Sequence, residues 1–69
     1  MERLFSEILK EFLVENNLTQ VAFAKIVGVK QSQVSEWIKG KAKPGYDTLK
    51  SMAIAFNISA DYFLGIKEY

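Results

Sequence analysis

The sequence predicts an all-α fold, a compact bundle of five short helices, on three observations. Apolar residues recur at intervals of three to four, as they do along one face of a helix. Helix-capping and helix-stopping residues punctuate the chain at short intervals. No stretch alternates apolar with polar residues as a half-buried strand does. At 69 residues the chain is expected to be a single domain, 1–69, whose core is small for a free-standing fold; compact helical packing is the simplest way to close it. A composition of 49% hydrophobic and 25% charged residues is too apolar for a disordered tail and ordinary for a globular domain.

The first helix is amphipathic: Leu4, Phe5, Ile8, Leu9, Phe12 and Leu13 form its apolar stripe, with Glu7, Lys10, Glu11 and Glu15 on the other side. Asn16-Asn17 stops it. Thr19 then makes an N-cap, since its hydroxyl can accept from the free backbone N–H groups two or three residues on. The second helix runs to about Val27 and ends at Gly28, because glycine enters the left-handed conformation without steric cost. The third spans about Lys30 to Lys39, turns Val34, Trp37 and Ile38 inward and ends at Gly40. Lys41-Ala42-Lys43-Pro44-Gly45 reads as a basic loop. Leu49, Met52, Ala53, Phe56 and Ile58 mark a fourth helix that closes near Asn57. Ser59 caps a fifth through Asp61, Tyr62, Phe63 and Leu64, and residues 66–69 form a short tail.

Composition excludes several function classes. With no cysteine and no histidine there is no disulfide, no thiolate and no imidazole, which rules out structural zinc and His- or Cys-based catalysis. No nucleophile and base stand at a suitable spacing, so an enzyme is not expected, nor a metal or other cofactor. No apolar run approaches the roughly 20 residues of a membrane span. Met1-Glu2-Arg3-Leu4 lacks a signal-peptide pattern, so a cytoplasmic location is expected.

The formal net charge of +1 conceals an uneven distribution. Residues 25 to 50 carry Lys25, Lys30, Lys39, Lys41, Lys43 and Lys50 against Glu36 and Asp47, while acidic residues outnumber basic ones on both sides. One basic face is therefore expected, with a solvated lysine-rich loop as the plain alternative.

Two helices joined by a tight glycine turn cross steeply only where a small side chain sits at their closest approach, and Ala24 stands four residues before Gly28. Phe23, Val27, Val29, Val34 and Trp37 supply the apolar contacts that lock the angle, so the segment of about 20–39 reads as a helix-turn-helix. Around it stand Leu18-Thr19-Gln20, Phe23-Ala24, Val27-Gly28-Val29, Gln31-Ser32, Val34-Ser35-Glu36-Trp37, Gly40-Lys41, Pro44, Thr48-Leu49, Ala53, Asn57-Ile58-Ser59 and Asp61-Tyr62-Phe63-Leu64-Gly65. In this ordered set the chain resembles, over nearly its whole length, the Cro and phage-repressor type of helix-turn-helix. This is the Xre family, which includes the lambda and 434 repressors.

The resemblance implies a lambda-repressor-like fold whose third helix lies in the major groove of double-stranded DNA, with the second across the backbone. It places Gln31 and Ser32 at the leading base-reading positions. A glutamine amide suits this work, because its carbonyl and NH2 pair together with N6 and N7 of adenine. Gln33, Ser35 and Glu36 lie on the same exposed side or its margin and complete the candidate base-reading set, a glutamate being able to accept from cytosine N4 or to repel phosphate. The resemblance also places at Gln20 a glutamine that holds a phosphate and braces the first base-reading glutamine. Thr19, Lys30, Lys39, Lys41 and Lys43 join it as candidate phosphate contacts, which position the protein without reading sequence. Lys25 and Lys50 read as ordinary surface lysines.

The chain departs from the family pattern in four places. Leu13 and Ile38 stand where many relatives pair an arginine with a glutamate; both being apolar, neither leaves an unpaired buried charge. Lys30 replaces the usual serine or threonine cap, and Gly45 replaces another cap residue. Val21, Ala22 and Ile26 make the outer face of the second helix unusually apolar.

The expected function is sequence-specific DNA binding as a transcriptional regulator, a repressor acting as a homodimer on two half-sites. Its dimer contact is expected in the region Tyr62 to Tyr69, although Phe63 and Leu64 also suit packing against the first helix. With the sequence stopping just after Gly65, either a stand-alone Cro-like regulator or a fragment of a larger repressor is expected. The competing reading is a helix-turn-helix used mainly as a protein-interaction module, such as an antitoxin-like partner, through the apolar face at Val21, Ala22 and Ile26.

Overall fold

Helix boundaries fall where local capping chemistry puts them. The computed structural model describes residues 4–65 and contains α1 (Phe5–Glu15), α2 (Gln20–Val27), α3 (Gln31–Ile38), α4 (Tyr46–Phe56) and α5 (Ala60–Leu64), with no strand among the described residues. Thr19 caps α2 as expected, its Oγ1 accepting from the Ala22 N–H at 3.0 Å. Ser59 does the same for α5 by accepting from the Asp61 N–H at 3.2 Å. At the end of α1 the Asn17 backbone is left-handed, and the Leu18 N–H donates back to the Leu13 carbonyl at 2.9 Å, so the stop at Asn16-Asn17 satisfies carbonyls of the last turn. Asn57 closes α4 in the same manner, with the Ile58 N–H donating to the Ala53 carbonyl at 2.9 Å.

α1 packs on α3 and α5, α2 on α3 and α4, and α4 on α5. Among the described residues the buried ones are Ile8, Leu9, Phe12, Leu13, Phe23, Ala24, Val34, Trp37, Met52 and Phe63, with no charged or hydrophilic side chain among them. Phe12 sits within a ring cluster, its centroid 4.9 Å from Phe56, 5.3 Å from Phe63 and 6.2 Å from both Phe23 and Tyr62. Phe23 stacks on Phe56 at 5.4 Å, which ties α2 to α4. Such pairs add to the burial of the rings themselves.

Two expectations about the apolar stripes change. Leu4 precedes α1 as its N-cap and is 64% exposed, its N–H donating to Glu7 Oε1 at 3.2 Å; an apolar residue at a helix entry need not face the core. Leu64 is 48% exposed, and α5 meets Phe12 of α1 through the rings of Phe63 and Tyr62. Leu13 is buried and Ile38 half-buried against the core, so both substitutions at the usual ion-pair positions sit in apolar surroundings.

Candidate nucleic-acid interface

The site is built on α2, the turn after it and α3. Gly28 takes a left-handed conformation (φ 86°, ψ 32°), in which its N–H and that of Val29 both donate to the Ala24 carbonyl, at 2.8 and 3.0 Å. A side chain at Gly28 would meet nothing within 4 Å, so the glycine is there for its backbone angle and not for space. Ala24 and Phe23 of α2 share the buried cluster with Val34 and Trp37 of α3, and half-buried Val27 and Val29 pack against it. Phe5 of α1 meets Trp37 edge-on at 6.1 Å and braces α3 from behind.

Burial of Val34 and Trp37 turns the opposite face of α3 outward. Gln31, Ser32, Gln33 and Glu36 are exposed and Ser35 is half-buried; with Lys39, all five line one shallow, open concavity. Across the turn, Gln31 Nε2 donates to Gln20 Oε1 at 2.9 Å. This bond leaves Gln31 its own carbonyl oxygen and one amide proton, the acceptor and donor that an adenine edge requires. It leaves Gln20 its NH2 group, a donor suited to a phosphate oxygen. Thr19 is exposed beside it and still has its hydroxyl proton to donate.

Lys30 is the N-cap of α3, exposed, and offers no side-chain acceptor to the helix. Its backbone N–H instead donates to Gln33 Oε1 at 3.1 Å. Sequence reasoning missed this role for Gln33; its signal is a glutamine three residues after the cap, half of a capping box hidden because the cap is a lysine. Lys39 closes α3, and the Lys41 N–H donates to the Glu36 carbonyl at 3.0 Å, which folds the basic loop back under the helix end. Lys41 and Lys43 are exposed. Lys43 stands apart from the α3 concavity, at a groove lined by Leu4, Phe5, Pro44, Leu49, Phe63 and Leu64, whereas Lys39 borders the α3 concavity itself.

Residues 9–63 match the helix-turn-helix family. The chain belongs to that family, in its Cro and phage-repressor branch. It is 31% identical over 64 residues to the HTH-type transcriptional activator BcrR of Enterococcus faecalis, an alignment covering 93% of this chain and 31% of that protein. The chain thus spans about a third of the length of that curated relative. Its fold is similar to a transcriptional regulator from Listeria innocua, with a TM-score of 0.83 and 25% identity over 100% of this chain and 64% of the other. It is similar also to the DNA-binding domain of the P22 C2 repressor, with a TM-score of 0.84 and 26% identity over 94% of this chain and 86% of the other. The SOS-response transcriptional repressor LexA from Eubacterium rectale matches at a TM-score of 0.82 and 31% identity, over 94% and 69% of the two chains.

The five helices of the described residues form the lambda-repressor-like fold of these structural neighbours. The family is one of DNA-binding transcription regulators, and no helix among the described residues is long and apolar enough to cross a membrane. At the expected dimer region, Tyr62 is half-buried against Phe12 and Phe63, whereas Ile66 to Tyr69 lie outside the described residues.

Proposed function

We propose that this helix-turn-helix protein binds double-stranded DNA sequence-specifically, with α3 in the major groove, and represses transcription by occupying its operator as a homodimer on two half-sites. The observation that carries the reading is the Gln20–Gln31 bond across the turn. A long, exposed side chain is ordinarily free to rotate; here it is held with a donor and an acceptor available, the preorganisation that direct readout needs. Ser32, Ser35 and Glu36 are further candidates for base contact on the same face, and Thr19, Gln20, Lys30, Lys39, Lys41 and Lys43 for phosphate contact. Occupancy of a promoter suffices for repression. The test is selection of binding sites from random DNA at stated salt: a two-fold symmetric motif with half-sites about one helical turn apart supports the reading, and absence of any enriched sequence overturns it.

A second reading has one observation in its favour. Val21 and Ile26 of α2 are 50% and 49% exposed, a partly apolar face beside Gln20 that suits a protein partner. If Gln31→Ala leaves DNA affinity and preference unchanged while Ile26→Glu abolishes a defined protein complex, this second reading replaces the first.

A further inference from the structure

α3 begins with two glutamines in its first turn, and their hydrogen bonds set them apart. Gln31 gives one amide proton to Gln20 and keeps its carbonyl oxygen free. Gln33 has its Oε1 taken by the Lys30 backbone N–H. An adenine edge takes the oxygen and nitrogen of a carboxamide together, and the Lys30 N–H already occupies one of the two lone pairs of Gln33 Oε1, so base pairing by Gln33 competes with the cap. Lys30 has no acceptor in its own side chain, so that bond is the one side-chain cap at this end of α3. Releasing it inside a DNA complex would strip a helix-start N–H of its partner where water is scarce.

Helical geometry gives an independent argument. At about 100° per residue, Ser32, Ser35, Glu36 and Lys39 fall in one arc of roughly 100° facing away from buried Val34 and Trp37. Gln31 lies at the margin of that arc beside α2 and its partner Gln20, and Gln33 at the opposite margin, about 200° around the helix from Gln31. Both glutamines border the α3 concavity, but from opposite margins, since residues two apart on a helix do not project the same way.

We propose that Gln33 is a positioning residue and not a base reader: by capping Lys30 it sets the start of α3, and through that the pose of Gln31. The assignment rests on the DNA-reading function proposed above. Its consequence is that readout by the first turn of α3 falls to Gln31 and Ser32, while the Lys30 side chain, with no capping duty, is left to phosphate.

Two variants test it, with two readouts. Gln33→Glu keeps a carboxyl oxygen for the Lys30 N–H and places negative charge at a helix start, where it is tolerated; Gln33→Ala removes the acceptor. Selected-site profiles and the amide proton resonance of Lys30 in the free protein are measured for both. The expected result for Gln33→Glu is an unchanged sequence preference, a uniform loss of affinity from the added charge, and a Lys30 resonance near its wild-type position. Gln33→Ala should shift that resonance, lower the melting temperature by no more than about 4 °C because the bond is solvent-exposed, and weaken preference at the base pair assigned to Gln31. The proposal is overturned if Gln33→Glu switches preference at one base pair towards cytosine, which a glutamate reader would select, or if Gln33→Ala leaves the Lys30 resonance in place. Should the wild-type protein enrich no sequence, the DNA-reading function fails, and the Lys30 resonance alone decides whether Gln33 is the cap.

Discussion

Gln20→Ala separates two roles that the structure gives to one side chain. Gln20 keeps its NH2 group as a donor and gives its Oε1 to Gln31 Nε2 at 2.9 Å, and the two residues are eleven positions apart in sequence. If Gln20 only holds a phosphate, its removal weakens binding to every sequence alike, and adding Gln31→Ala lowers affinity by the sum of the single effects. If it also braces Gln31, the effects overlap. Loss of a well-placed amide reader costs about 1–3 kcal/mol of discrimination at one base pair. A solvent-accessible hydrogen bond is worth little in the free protein, but within the complex its net contribution is about 0.5–1.5 kcal/mol. The double-mutant cycle is therefore expected to show a coupling of about 0.5–1.5 kcal/mol, roughly two- to twelvefold in affinity. It is measured by anisotropy titration of the wild type, both single variants and the double variant, against the selected site and against that site with the Gln31 base pair changed. Coupling should be present on the selected site and absent on the changed one. Additivity within about 0.3 kcal/mol on both sites, the behaviour of independent residues, refutes the brace.

Other perturbations test the remaining parts. Lys43→Ala should lower affinity equally for all sequences and reduce the slope of log affinity against log salt by about one, as expected for one lost phosphate contact; an altered base preference contradicts its assignment. Phe12→Ala removes a ring that is 3% exposed and touches four other aromatics. A large-to-small change of this kind costs about 3–5 kcal/mol, against a total of roughly 3–10 kcal/mol for 69 residues. The melting temperature by circular dichroism should fall by at least about 12 °C, and a fall below about 5 °C would show that Phe12 is not the centre of the core. Gly28→Ala meets no steric neighbour yet must hold φ at 86°. It should cost about 1–2 kcal/mol in denaturant unfolding, with Gly28→Asn costing less; equal stability of all three proteins contradicts the turn geometry.

The features legible in the sequence were those decided within a few residues of themselves. Thr19 caps α2, Asn17 and Asn57 turn the chain after α1 and α4, and Gly28 closes α2, because each residue type satisfies backbone groups one turn away. The buried side of α3 followed from the spacing of Val34 and Trp37. Features that depend on tertiary placement were not legible in this way. The stripe on α1 gave no sign that Leu4 would stand outside the core, since periodicity counts apolar residues without locating the cap. Which aromatics surround Phe12, and the edge contact of Phe5 with Trp37, depend on how α1 crosses α3 and α5. At the candidate site, the pairing of Gln20 with Gln31 was implied by family resemblance and by nothing local, because it spans the turn. The engagement of Gln33 with Lys30 is local but was masked by a lysine in a position where serine or threonine advertises a cap.

The central claim is that Gln31 reads an adenine edge in the major groove, and replacing that adenine by 7-deazaadenine tests it most directly. The change deletes only N7, an acceptor that the major groove alone presents. The wild-type protein should lose about five- to tenfold in affinity for the modified site, as for one hydrogen bond of about 1–1.4 kcal/mol, whereas Gln31→Ala should bind modified and unmodified sites equally. An equal loss in both proteins, or no loss in either, contradicts the claim.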